Sequence, residues 1–270
     1  MTVAGGVVQD WSSASSRAPA ELVLDPAIVS ISGPRPANED AGFAGRHLVA
    51  VADGVGGNVG GEVAARLAVE AVSADLGDLA AGVARANGEL GAAVATEPRL
   101  AGMATTLTAA ELVGHELVVA HVGDSRAYLL HAGVLQQLTH DQTFVQSLVD
   151  AGVISAEQAR RHPLRSVVLA ALRGTDEDLA HIETTTRSVE AGDRVLVCSD
   201  GLSGVVPAET LAKVLEEERV PAEAATRLVR AALAAGTHDN VTAVVADVQL
   251  TAPAQARLTS STPAAQNVAA

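Results

Sequence analysis

Aromatic residues are nearly absent from this chain of 270: Trp11, Phe43, Tyr128 and Phe144 are the whole set. Rings therefore cannot build the core, which falls to Val, Leu, Ile and Ala. These suffice, because 48% of the residues are hydrophobic, enough for one large domain or two small ones. Cys198 is the single cysteine, which excludes an intrachain disulfide framework. It lies in an apolar run and reads as a core residue. Basic residues are few, with Lys213 the single lysine, and the net charge is −14. Nonspecific binding to DNA, RNA or anionic lipid needs basic patches that such a chain does not supply. No apolar run approaches a membrane span, and the first residues lack a basic stretch followed by an apolar one. The eight histidines do not fall at zinc-ligand spacing. The expectation is a soluble, cytoplasmic protein that meets neither nucleic acid nor membrane.

Residues 1–27 read as a flexible N-terminal arm and 251–270, rich in Ala, Thr, Ser and Pro, as a disordered tail. A folded domain is expected over 28–250. Strand patterns fall at Leu48–Ala52, Thr105–Leu112, Glu116–His121, Arg126–Leu130, Val134–Leu138, Ile182–Thr186, Arg194–Cys198 and Val241–Val248. Short turns at Gly114-His115 and Ala132-Gly133 predict one antiparallel meander over Thr105–Leu138. Helical periodicity marks Gly61–Leu76, Leu79–Thr96, Thr143–Ala151, Ala156–Arg161, Ala208–Glu217 and Pro221–Ala235. Contiguous strands flanked by paired helices predict an α+β fold: an antiparallel β-sandwich in four layers, α-β-β-α.

One pattern recurs along this frame. "LVAVADGVGG" (Leu48–Gly57) ends an apolar run in an aspartate, and "VLVCSDGLSG" (Val195–Gly204) does the same. "LVVAHVGDSR" (Leu117–Arg126) carries Asp124 after another strand, and "GTHDNVTAVVADV" (Gly236–Val248) puts Asp239 before one. Asp-Gly after a strand is a common turn pair, so any one of these sites can be a turn and nothing more. Four at strand ends, with "NED" at Asn38–Asp40, point instead to a shared site. Converging carboxylates repel and raise one another's pKa. Magnesium or manganese, which favour carboxylate, carbonyl and water ligands, would relieve that repulsion. The glycines after Asp53 and Asp200 are expected to let the backbone turn sharply and to let the Gly54 carbonyl face an ion.

The order "RPANED" (Arg35–Asp40), "ADGVGG" (Ala52–Gly57), "MATTLTA" (Met103–Ala109), "VGDSRAYLL" (Val122–Leu130), "CSDGLSG" (Cys198–Gly204) and "HDNVTAVV" (His238–Val245) resembles the metal-dependent serine/threonine protein phosphatases of type 2C. The likeness runs from about residue 30 to 248. Thr143–Gly174 is similar to the flap segment and following helix of bacterial signalling members. The resemblance implies hydrolysis of phosphoserine and phosphothreonine by a hydroxide that bridges two manganese or magnesium ions. It implies that Asp53 bridges the two ions, that the Gly54 carbonyl binds one, and that Asp200 and Asp239 complete the other's ligands. Glu39 and Asp40 would hold ion-bound waters. Asp124, with Asp200, would serve a weaker third ion, and Ser166 would line that third position. Arg35 matches the arginine that grips the substrate phosphate. The implied partners are phosphorylated proteins, a serine/threonine kinase and its substrates among them, met by a monomer.

The chain departs from the pattern in places. Val55 stands where many eukaryotic relatives carry histidine, and it cannot donate a proton. Ala37 stands where asparagine is common, and Pro34 and Pro36 stiffen the approach to Arg35. Two other readings stay open on sequence: a catalytically silent module that binds phosphoproteins, and a hydrolase of small phosphate esters on the same fold. Loss of Asp53, Asp200 or Asp239 would favour the first. The flap favours a protein substrate over the second.

Overall fold

The computed structural model describes residues 20–55, 60–74 and 76–251. Most of the expected arm and all but the first residue of the expected tail lie outside the described residues. Among the described residues, ten strands form two antiparallel sheets. They are β1 (Leu22–Ile31), β2 (Asp40–Ala44), β3 (Leu48–Asp53), β4 (Leu107–Val113), β5 (Glu116–Val122), β6 (Arg126–His131), β7 (Val134–Gln137), β8 (Glu183–Ser188), β9 (Arg194–Cys198) and β10 (Val241–Leu250). One sheet runs β1-β10-β9-β6-β7 and the other β2-β3-β4-β5-β8. The helices are α1 (Gly61–Ser73), α2 (Leu79–Thr96), α3 (Phe144–Asp150), α4 (Ala156–Arg160), the single turn α5 (Asp200–Ser203), α6 (Ala208–Glu217) and α7 (Pro221–Ala234).

Three apolar layers hold these elements. Between the sheets, Val49 and Val51 of β3 meet Val195 and Val197 of β9 and Val244 and Val248 of β10. Outside the second sheet, Ala64, Ala68 and Val72 of α1 and Val83 and Leu90 of α2 cover the other faces of β3–β5. Outside the first, Leu211 and Leu215 of α6 and Ala225 and Leu228 of α7 cover Leu196 and Val245. Strands β3, β9 and β10 are thus buried on both faces, which explains their continuous aliphatic runs. The expected α-β-β-α sandwich is the observed one.

The structure corrects the sequence reading in the arm and in the meander. Strand β1 takes in residues 22–27, which were expected in the arm. Pro26 obscures this strand, yet it fits, because among the described residues β1 is an edge strand paired only with β10. The second correction concerns the meander. Strands β4 and β5 pair in one sheet and β6 and β7 in the other. The chain crosses between sheets at Gly123-Asp124-Ser125, so Asp124 stands at a corner rather than in a hairpin.

That corner is tightly specified. Gly123 has φ +109°, and a Cβ there would lie 2.6 Å from Thr106 Cβ and Cγ2. Gln142 clamps it, accepting from Gly123 N at 2.8 Å through its side-chain oxygen and donating its backbone N–H to the Gly123 carbonyl at 2.8 Å. Ser125 Oγ meets Thr106 Oγ1 at 2.9 Å, and Thr108 Oγ1 donates to the Ser125 carbonyl at 2.8 Å. Thr108 also bonds Nδ1 of buried His121 at 2.8 Å. The 143–174 segment starts from the same corner. Its neck is closed by Phe144 N to Val167 O (2.9 Å) and Leu169 N to Gln142 O (2.8 Å). Gly123→Ala combines a disfavoured φ with a steric clash, so we expect it to cost about 2 kcal/mol or more, read as a lowered urea midpoint.

Candidate metal centre

Five aspartates converge where strands of both sheets end. Asp40 and Asp53 face each other across the β2–β3 ladder. Asp124 follows β5, Asp200 follows β9 as the first residue of α5, and Asp239 precedes β10. The carboxyl of Asp53 is pushed well above its usual range, first by loss of water and then by the charges of Asp40, Asp200, Asp124 and Asp239. Asp124 is raised well above its usual value by burial and then by Asp200 and Asp141, against the opposing pull of Arg126. Asp200 rises to about 6 through burial and the charge of Asp239, moderated by a hydrogen bond with Asp53. Asp40 rises to about 7, mainly by burial. These groups feel one another directly, so the five aspartates stand together as one cluster.

Asp40 shows most plainly what the cluster could hold. Its Oδ2 accepts from Ser199 Oγ at 2.8 Å, whereas its Oδ1 is buried with no hydrogen-bond partner among the described residues. A buried acceptor without a donor is costly, and an ion or a water held by one satisfies it. The donor set is all oxygen and strongly anionic, which suits a hard divalent cation.

The surrounding backbone fixes these side chains. Asp53 N donates to Thr106 Oγ1 at 3.1 Å, and Thr105 Oγ1 donates to the Asp53 carbonyl at 2.9 Å. Gly54 and Gly201 do not have positive φ. They are needed for close approach, not for the sharp turn expected: a Cβ on Gly54 would lie 2.5 Å from the Gly61 carbonyl carbon, and one on Gly201 1.8 Å from the Asn240 oxygen. The Glu39 carboxyl lies beside Gly61 at the start of α1. Arg35 is turned toward the cluster, where Nη2 donates to Asp239 Oδ2 at 2.8 Å and Nε to the His238 carbonyl at 3.0 Å. Ser166 lines a cavity that also contains Asp124 and Asp200. Cys198 is fully buried, and burial pushes its thiol up to about 12, as a core residue requires.

Sequence reading missed Asn240. Its side-chain oxygen accepts from Glu39 N at 2.8 Å, and its amide donates to the carbonyls of Ser32 (2.9 Å) and Ala37 (2.8 Å). One buried side chain thus ties the loop carrying Arg35 and Glu39 to the residue beside Asp239. All three partners lie about 200 residues away in sequence, so no local pattern marks the role. Ser199 and Gln142 were missed for the same reason: their roles depend on partners remote in sequence. A further group, His131, Glu190 and Asp193, brings ligand atoms within 4.8 Å of one another. It lies at the other end of β9, and Asp193 is occupied there by His131 Nδ1 (2.8 Å) and Glu190 N (2.9 Å).

A helix-flanked double sheet with acidic strand ends gathered at one edge defines a class, and sequence comparison gives the same one. The family model described as Protein phosphatase 2C matches residues 37–246, and the chain belongs to that family. It is 48% identical over 221 residues to the serine/threonine protein phosphatase PstP of Mycobacterium tuberculosis, covering 78% of this chain and 42% of that protein. It is 35% identical over 217 residues to the serine/threonine phosphatase stp of Listeria monocytogenes, covering 76% of this chain and 85% of that one. The crystal structure of the catalytic domain of PstP in complex with two manganese ions superposes with a TM-score of 0.77 at 44% identity, over 84% of this chain and 99% of that domain. The chain therefore spans less than half the length of its mycobacterial relative.

The raised carboxyls carry a pH signature. A group whose pKa is higher folded than unfolded contributes stability below its unfolded value, and that contribution is lost as pH rises through the folded value. For Asp40 the window runs from the ordinary 3.8 to about 7. Urea unfolding in chelator should therefore give lower stability at pH 7.5 than at pH 5, with a smaller difference in Asp40→Asn.

Proposed function

We propose that this protein is a divalent-cation-dependent phosphoprotein phosphatase acting on phosphoserine and phosphothreonine. The convergence of Asp53, Asp124, Asp200 and Asp239 around Asp40, whose buried Oδ1 has no hydrogen-bond partner among the described residues, carries this reading. Membership of the protein phosphatase 2C family and the two manganese ions of the related catalytic domain support it. No helix among the described residues is long and apolar enough to cross a membrane. The reading takes phosphorylated proteins, including a serine/threonine kinase and its substrates, as partners.

The chain's own residues take these roles in the proposal. Asp53, the Gly54 carbonyl, Asp200 and Asp239 hold two ions, while Asp124 and Ser166 serve a weaker third position. Glu39 and Asp40 orient waters beside them, with Asp40 steadied by Ser199. When bound, the ions supply a water acidic enough to be a nucleophile near neutral pH and neutralise phosphoryl charge. Arg35 presents a guanidinium at the rim, 43% exposed, whose fork matches two phosphate oxygens. In hydrolysis a water oxygen bonds to phosphorus as the bond to the serine or threonine oxygen breaks. Val55 offers no proton, so the departing oxygen takes its proton from water. A silent binding module is not favoured, because no carboxylate of the set is missing.

Turnover of a phosphothreonine peptide with manganese, abolished by chelator, tests the reading. Asp53→Asn, Asp200→Asn and Asp239→Asn should each lower kcat by about a hundredfold or more. Full activity in Asp239→Asn at ordinary manganese would remove that residue from the site. Arg35→Ala should raise KM by about tenfold, the effect of losing a charge-assisted contact of ~1.5 kcal/mol, with manganese affinity by calorimetry nearly unchanged.

A further inference from the structure

The cavity that begins at Asp124 and Asp200 continues past them. Its volume is about 350 Å³, and it reaches Arg160, Arg165 and Ser166 of the 143–174 segment. That segment reverses the chain's acidic character. From Gln158 to Thr175 there are four arginines and no acidic residue, in a protein of net charge −14.

The arginines here and across the cavity differ in how far they are satisfied. Arg126, across the cavity, grips Asp141 with two bonds of 2.8 and 2.6 Å and donates to the Tyr128 hydroxyl at 3.1 Å. Arg160 and Arg161 share Glu157 at 2.5 and 2.8 Å. Arg173 is held by buried Asp178 at 3.0 Å. Arg165 stands apart. Its backbone N–H donates to the His162 carbonyl at 3.1 Å, but its guanidinium has no carboxylate or hydrogen-bond partner among the described residues. It is exposed and lines the cavity.

A solvated guanidinium on the wall of a pocket can pair with an anion without first breaking an internal ion pair, and its planar fork fits a carboxylate or a phosphate. We propose that Arg165 forms a subsite for an anionic side chain of the substrate, close in sequence to the phosphorylated residue whose phosphate meets the ion site at the Asp200 end of the cavity. This rests on the phosphatase reading and sharpens it. The favoured substrates are phosphoproteins with an acidic residue or a second phosphate beside the scissile one. Arg165 is then a specificity residue, separate from the groups assigned to the ions and to the scissile phosphate.

The test is a set of phosphothreonine peptides that differ only two residues before or after the phosphothreonine, where they carry Ala, Glu, Lys or a second, non-hydrolysable phosphothreonine mimic. The readout is the ratio of kcat/KM values within one protein variant, so losses common to all peptides cancel. In the wild type, Glu or the phosphate mimic at one of the two places should be favoured over Ala by about fivefold, the scale of an exposed ion pair. The ratio of Glu to mimic tells the carboxylate from the phosphate. Arg165→Ala should bring the ratio to about one, and Arg165→Glu should turn the preference toward Lys. Turnover without discrimination, or discrimination that survives in both variants, would overturn the subsite alone. Failure of the wild type to hydrolyse any of the peptides would overturn the phosphatase reading, and the subsite with it.

Discussion

Five carboxylates held together at one edge of a β-sandwich repel one another, and much of the architecture follows from the need to keep them there. Burial raises the pKa of Asp40, Asp53, Asp124 and Asp200, and each negative charge raises the others further. Left to relax, such groups would move apart into water. They stay because their backbones belong to strands buried on both faces or to corners locked by hydrogen bonds. The apolar layers on either side of β3, β9 and β10 therefore support the site as much as the fold.

Four of the five aspartates are restrained through neighbours that carry no charge. Thr105 and Thr106 hold the backbone of Asp53, Ser199 holds one oxygen of Asp40, and Gln142 holds the corner before Asp124. Asn240 joins Asp239 to the loop bearing Arg35 and Glu39. Neutral partners fix geometry without cancelling the charge a cation needs. Arg35 is the exception, since it neutralises part of Asp239 directly. The 143–174 segment leaves from the Gly123 corner and is pinned back to Thr105 by Leu172. Its base is thus tied to the strands that deliver Asp53 and Asp124.

Much of this was legible in the residues. Buried strands announce themselves as aliphatic runs, so β3, β9 and β10 and the aspartates at their ends could be located. Helices α2 and α6 matched their sequence boundaries. What could not be read was pairing. Strand β1 was hidden by Pro26, whose missing N–H matters little at a sheet edge. The short β2 contains Gly42, which weakens its strand signal. The turns at Gly114 and Ala132 were correctly placed, but the crossing at Gly123 looks the same in sequence as another hairpin. Asn240, Ser199 and Gln142 act through partners roughly 20 to 200 residues away, and local pattern carries no trace of such contacts.

The central claim is that these raised carboxylates form a divalent-cation site. Ligation requires the charged form, so binding must displace the protons that burial and repulsion retain. Calorimetric titration of the metal-free protein with manganese at pH 6, in two buffers of different ionisation enthalpy, measures stoichiometry and proton release together. The account predicts at least two ions per chain, with protons released on binding. Absence of saturable binding, or binding with no release of protons, would contradict it.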